Sequence, residues 1–244
     1  MNIDFAGKKA IVTGGTRGIG NSIASMLDKS GCEVIYTGTK EKAENRIGSA
    51  RYEQLDLACK KSIERFSDEV IKTSEKIDIL INNAGINFIE PIDKIQDQHW
   101  EAVLNVNLTG AMCLTREVAK TMIKQKNGGR ILNVSSIFGI VSKAKRGSYS
   151  ASKAGMIGLS RACALDLAPY SILVNALCPG FTVTELTASI LSPDEMAKLA
   201  KEEVPLGRFA EVDEISKVAL FLCSDMNTYL TGQTIVVDGG MVIR

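Results

Sequence analysis

The chain has 244 residues, 45% of them hydrophobic and 23% charged. Those proportions suit one large domain with a substantial core and exclude a disordered, collagenous or coiled-coil chain. Lys plus Arg number 29 against 28 Asp plus Glu, a net charge of +1, so there is no basic field to gather nucleic acid or an anionic membrane.

One histidine, His99, removes the His-rich zinc sites, so no metal centre is expected; a Ser-His-Asp mechanism would depend on that residue alone. Six cysteines, at 32, 59, 113, 163, 178 and 223, form no CxxC pair and read as reduced core thiols. No signal peptide is visible in Met1 to Phe5. The longest uncharged stretch, Leu167 to Thr184, is broken by Pro169, Asn175, Pro179 and Gly180 and is not a membrane span. A cytoplasmic protein with no membrane or nucleic-acid partner is expected.

In chain order, Lys9 to Val12 reads as a strand, and Gly18 to Lys29 as a helix ended by Gly31. Glu33 to Tyr36 and the weaker Arg51 to Leu55 are strands. Cys59 to Glu75 has helical spacing through Ile63, Phe66, Val70 and Ile71. Asp78 to Ile81 is a strand and Asp97 to Lys124 one long helix, stopped by Asn127-Gly128-Gly129. Arg130 to Val134 is a strand, Tyr149 to Ala168 a helix, and Ser171 to Leu177 and Thr234 to Val237 complete the strands. The apolar runs lack polar alternation, as in strands covered on both faces. The reading is a single α/β domain over residues 1–244: a Rossmann-type, doubly wound, seven-stranded parallel sheet with helices on both faces. Ligands of such sheets bind beyond the carboxyl ends of the strands. Residues 182–208 depart from the alternation. There Ser192-Pro193-Asp194-Glu195 is a capping box with Pro at the first helical position, which marks an inserted helix and a flap over the site.

Thr13-Gly14-Gly15-Thr16-Arg17-Gly18-Ile19-Gly20 follows the first strand and opens the first helix. Glycines let the backbone approach a pyrophosphate, which the free N–H groups and dipole of a helix N-terminus then favour. The acid that holds the ribose 2′-hydroxyl of NAD should end the second strand. That place holds Thr37-Gly38-Thr39-Lys40, and Glu33 stands at the other end. Arg17, Lys40 and Thr39 would instead meet a 2′-phosphate, which favours NADP(H) over NAD(H).

Ser136 follows the strand Ile131 to Val134, and Tyr149 and Lys153 come after a loop, four residues apart on one helix face. A phenol with its ordinary pKa near 10 is a poor proton-transfer group at neutral pH. An ammonium at roughly 4 Å, with an effective dielectric near 20, favours the phenolate by about 4 kcal/mol, or roughly three pKa units. That would bring Tyr149 toward working pH.

With these motifs in order, the chain resembles the short-chain dehydrogenase/reductase family, and within it the 3-oxoacyl-acyl-carrier-protein reductases. The T-G-x-x-x-G-x-G turn, Asp56 after the third strand, Asn82-Asn83-Ala84-Gly85 after the fourth, Val106-Asn107-Leu108, Ser136, Tyr149 and Lys153, Pro179-Gly180 with Thr182 and Thr184, and the closing Asp238-Gly239-Gly240-Met241 all carry the likeness. It implies that Tyr149 gives a proton to a carbonyl oxygen as hydride arrives from the nicotinamide. Ser136 would orient that oxygen, Lys153 would lower the tyrosine pKa and bind the nicotinamide ribose, and Asn107 would hold a proton-relay water. Gly14, Thr16, Arg17, Gly18, Ile19, Gly20, Thr39, Lys40, Asp56, Asn83, Ala84, Gly85, Pro179, Gly180, Thr182 and Thr184 would line the dinucleotide with Tyr149 and Lys153. The family also implies a homotetramer.

Relatives of that type often carry arginines where this sequence has Asn127 and Tyr170, which puts a carrier-protein dock in question. Lys143, Lys145 and Arg146 lie in the loop before Tyr149 and could meet an anionic group on a small-molecule or acyl-thioester substrate. Three functions stand: an NADPH-dependent ketone reductase of the 3-oxoacyl type, an oxidoreductase of an anionic small molecule such as a sugar acid or sugar nucleotide, and a catalytically silent dinucleotide sensor. The complete Asn107, Ser136, Tyr149 and Lys153 set disfavours the sensor.

Overall fold

The computed structural model describes residues 3–43, 45–189 and 191–244. Seven strands form one sheet: β1 Lys9–Val12, β2 Glu33–Gly38, β3 Arg51–Gln54, β4 Ile79–Asn82, β5 Gly129–Val134, β6 Ile172–Pro179 and β7 Thr234–Val237. Their order is β3-β2-β1-β4-β5-β6-β7, and every pair is parallel. The doubly wound reading holds, with strand bounds shifted by one or two residues.

Alternate residues of the strands feed two cores. Val12, Val34, Ile79 and Leu132 pack on one face with Ile23 and Leu27 of helix α1 (Gly18–Lys29) and Ile215 and Ala219 of helix α8 (Val212–Cys223). Their neighbours Ile11, Ile35, Leu80 and Ile131 pack on the other face. There they meet Leu114, Val118 and Met122 of α4 (Gly110–Gln125), and Ala164 and Leu167 of α5 (Gly147–Leu167). Burying each large aliphatic side chain contributes about 1.5–3 kcal/mol, and this two-sided demand is why the strands lack polar alternation. After β3 the chain crosses from one edge half of the sheet to β4, beside β1. The carboxyl ends of β1 and β4 therefore flank the switch point at which such sheets bind ligands.

Two helices differ from their expected form. The long helix is α3 (Asp97–Leu104), a wider π turn (Asn105–Thr109) and α4. The segment from Cys59 is α2 (Lys60–Phe66) followed by a second π turn (Ser67–Ile71). Three of the six thiols, Cys32, Cys178 and Cys223, are buried; Cys59 is exposed, so the reading of all six as core residues is corrected, while all are free. Within 182–208 lie α6 (Glu185–Ala188) and α7 (Pro193–Glu203). The expected capping box opens α7: Ser192 N–H donates to Glu195 Oε2 at 2.7 Å, and Glu195 N–H to Ser192 Oγ at 3.3 Å. No helix among the described residues is long and apolar enough to cross a membrane.

Candidate active site

The glycine turn is locked to the end of β4. Thr13 Oγ1 accepts from the N–H groups of Asn83 (2.9 Å) and Ala84 (3.1 Å), and Asn83 Nδ2 donates to Thr13 O and Gly14 O. Gly14 has φ +62, and a Cβ there would lie 2.9 Å from Ala84 Cα. A Cβ on Gly20 would come within 2.3 Å of Asn83 Nδ2. Both positions require glycine on steric grounds.

The start of α1 fits a pyrophosphate by its donor set. Arg17 caps it without a side-chain hydrogen bond, and its first turn holds no acid, so its N–H groups and dipole face outward uncompensated. A Cβ on Gly18 would sit 3.5 Å from Thr184 Cγ2 and 3.7 Å from Glu185 Oε2. That contact brings the 182–208 segment onto the turn. Thr184 Oγ1 accepts from Thr187 N–H at 3.1 Å to cap α6, and Thr182 Oγ1 donates to Gly180 O at 3.1 Å. Pro179 ends β6, and Gly180 N–H is tied to Val237 O of β7 at 2.9 Å.

Beyond β2, Gly38 touches the turn, since a Cβ there would lie 2.7 Å from Thr16 Cγ2. Arg17, Thr39 and Lys40 are exposed on this rim. Glu33, at the far end of β2, is paired with Lys9 at 2.8 Å and cannot serve a ribose. Tyr36 is a fully buried β2 residue whose hydroxyl donates to Asn45 O. Asp56 Oδ1 accepts from Ala58 N–H at 2.9 Å in the loop after β3.

The second cluster lies at the ends of β4 and β5. Asn107 is fully buried in the π turn. Its Oδ1 accepts from Ile86 N–H at 2.8 Å, and its Nδ2 donates to Ile86 O at 2.9 Å and to Ser152 Oγ at 3.0 Å. Ser152 Oγ in turn donates to Tyr149 O at 2.7 Å. Lys153 Nζ donates to Val134 O at 2.8 Å, and Ser135 Oγ holds Lys153 O at 2.8 Å. Gly85 leaves this corner open on the glycine-turn side: a Cβ there would meet Asn107 Oδ1 at 3.3 Å and Lys153 Nζ at 3.5 Å. Tyr149 and Lys153 share one helix face, and Asn107 and Ser136 lie beside them in this corner. Ser152 was missed by sequence reading. Its signal was a small hydroxyl one residue before the lysine, on the face toward Asn107.

The electrostatics differ from the expected priming. Burial raises the Tyr149 pKa above its ordinary value, while a hydrogen bond with Ser136 and the Arg146 charge pull it down. Lys153 does not supply the expected drop. Its ammonium lies 5.6 Å from the Tyr149 ring centroid and points at Val134 O. Burial lowers Lys153 itself to about 8, because desolvation disfavours the charged form of a base.

The three cations of the loop before α5 part company. Lys143 pairs with Glu203 of α7 at 2.7 Å, Lys145 is exposed with φ +65, and Arg146 is half-buried beside Tyr149. No group of three or more His, Cys, Asp or Glu residues that could hold a metal occurs among the described residues.

A family model described as enoyl-(acyl carrier protein) reductase matches residues 14–242. The 3-oxoacyl-[acyl-carrier-protein] reductase FabG of Aquifex aeolicus is 42% identical over 250 residues, covering 99% of this chain and 100% of that protein. The chain belongs to the short-chain dehydrogenase/reductase family. A short-chain type dehydrogenase/reductase from Mycobacterium marinum superposes on it with TM-score 0.92 at 28% identity, covering 99% and 98% of the two chains. A gluconate 5-dehydrogenase from Burkholderia cenocepacia in complex with NADP and tartrate does so with TM-score 0.93 at 29% identity, covering 100% and 98%. This short-chain dehydrogenase/reductase is an NAD(P)-dependent oxidoreductase, and both clusters described above lie at the carboxyl ends of its strands.

Proposed function

We propose that the protein is an NADP(H)-dependent reductase of ketones to secondary alcohols, most like a 3-oxoacyl thioester reductase. The convergence of Ser136, Tyr149, Lys153 and Asn107 at the ends of β4 and β5 carries this reading. Gly14, Thr16, Gly18, Ile19 and Gly20 would hold the pyrophosphate, Asp56 the adenine, and Asn83, Ala84 and Gly85 the ribose side. Pro179, Gly180, Thr182 and Thr184 would face the carboxamide. When bound, the dinucleotide supplies the hydride. Tyr149 donates its phenolic proton to the carbonyl oxygen, and Ser136 donates a hydrogen bond that orients that oxygen. Lys153 binds the nicotinamide ribose, and a water held by Asn107 relays a proton past Lys153 to the phenol. Residues 182–208 close over the substrate from anchors at which Ala210 N–H donates to Phe181 O and Val183 N–H donates to Ala210 O.

The NADP choice rests on Arg17, Thr39 and Lys40 at the rim and on Glu33 being engaged elsewhere. Replacing Arg17 and Lys40 together with Ala should weaken NADPH at least tenfold more than NADH, measured by titrating each dinucleotide; equal weakening would remove the 2′-phosphate. A 3-oxoacyl thioester with NADPH is the substrate test, and a rate no higher than that of Tyr149→Phe would reject the reductase. The anionic-substrate reading keeps one specific support, the half-buried Arg146 beside Tyr149. The reading includes a cytoplasmic homotetramer, which Leu165, Tyr229 and Ile243, all more than three-quarters exposed, would help to build; light scattering tests it.

A further inference from the structure

Arg146 is held in an unusual position for a cation. The guanidinium lies 6.0 Å from the ring centroid of Phe138, and that ring meets the Tyr149 ring edge-on at 6.4 Å. Its Nη1 is buried and has no hydrogen-bond partner. Burial lowers its pKa, and Tyr149 is the titratable neighbour that acts back on it. Glu90, joined to Arg146 by a backbone bridge, binds His99 Nδ1 through Oε1 at 2.8 Å and makes no side-chain hydrogen bond to Arg146. By contrast, Arg130, whose Nε is also buried without a partner, spends its other nitrogens on Gly129 O and Asn227 O at the opposite end of the sheet.

A half-buried guanidinium with a buried, unmet N–H is costly to keep. A neutral carbonyl would satisfy the N–H and leave the charge uncompensated; a carboxylate answers both, with two parallel hydrogen bonds. We propose that Arg146 binds a carboxylate carried by the substrate and so selects oxo acids and hydroxy acids over neutral ketones. Of the three loop cations it alone does so, because Lys143 is engaged by Glu203 and Lys145 faces solvent. Phe138 fixes the guanidinium toward Tyr149, so the anchored carboxylate places the ketone at the proton donor. This rests on the ketone-reductase reading and favours its anionic-substrate form over a 3-oxoacyl thioester, which has no free carboxylate.

The test uses two probes. The first is calorimetric titration of the NADP-loaded protein with malonate, which cannot be reduced. Binding that weakens about tenfold or more in Arg146→Gln, recovers in part in Arg146→Lys and persists in Tyr149→Phe is the expected result. No malonate binding, or equal binding in Arg146→Gln, overturns the carboxylate site whatever the activity. The second is NADPH oxidation with acetoacetate and with ethyl acetoacetate. The acid-to-ester ratio of kcat/KM should exceed one and fall about tenfold or more in Arg146→Gln; an unchanged ratio overturns the proposal. Malonate binding that depends on Arg146, with neither these ketones nor a 3-oxoacyl thioester reduced, would refute the reductase reading and keep the anion site.

Discussion

At Tyr149 two effects compete, and the structure decides between them. A nearby ammonium would favour the phenolate, but burial stands first among the influences on this hydroxyl and raises its pKa. An acid raised in this way keeps its proton further up the pH scale. Reduction, which needs the phenol, therefore retains its donor through neutral pH. Alcohol oxidation needs the phenolate and must gain rate as pH rises. Initial rates in both directions between about pH 6 and pH 10 test this, and oxidation that is flat with pH would contradict it. Tyr149→Phe should lower the reductive kcat by about 10²–10⁴-fold, the usual worth of a positioned proton donor, with dinucleotide affinity within a few-fold of the parent. Ser136 sits differently. Its Oγ accepts from Phe138 N–H at 3.1 Å, so its proton is left to serve Tyr149 or a carbonyl oxygen.

The element that matters most for the site is the π turn between α3 and α4. A wider turn inserts one extra residue into the helical ladder, and here it turns Asn107 inward against the backbone of Ile86. The next residue on the same track, Gly110, seats this distortion against the loop after β3. A Cβ at Gly110 would lie 2.4 Å from Leu57 O and 2.7 Å from Leu57 Cβ, and a backbone carbonyl cannot yield as a side chain would. Gly110→Ala should therefore destabilise the protein by about 1–3 kcal/mol through overpacking, although alanine is the better helix former. Urea unfolding would show it. A neutral or stabilised variant would mean that α4 is free to slide and that Asn107 is not fixed by this contact.

Across the whole molecule, local patterns carried most of the architecture. Uninterrupted runs such as Ile79 to Ile81 named the strands because both faces are covered, and Ser192 with Glu195 named the start of α7 because a capping box is a local bond. The π turns were not legible, since an inserted residue barely disturbs the apolar period. Nor were the bond of Asn107 to Ile86, the pairing of Lys143 with Glu203, or the burial that governs Tyr149 and Lys153, all of which depend on chain segments far apart in sequence. Lys153 shows what that burial does to the fold. Its pKa, lowered from 10.5 to about 8, means that the folded state resists the proton the unfolded chain accepts. The resulting penalty, about 3 kcal/mol, is fully present below pH 8 and is relieved as pH rises toward 10.5. Lys153→Met removes it but leaves Val134 O without its donor, an offset of about 1–3 kcal/mol. The variant should be inactive and yet about 1 kcal/mol more stable than the parent at pH 7, with its relative advantage lost by about pH 10. Paired urea midpoints at the two pH values measure this. A gap that does not change with pH would mean that the ammonium at the centre of the site is not held against its hydration.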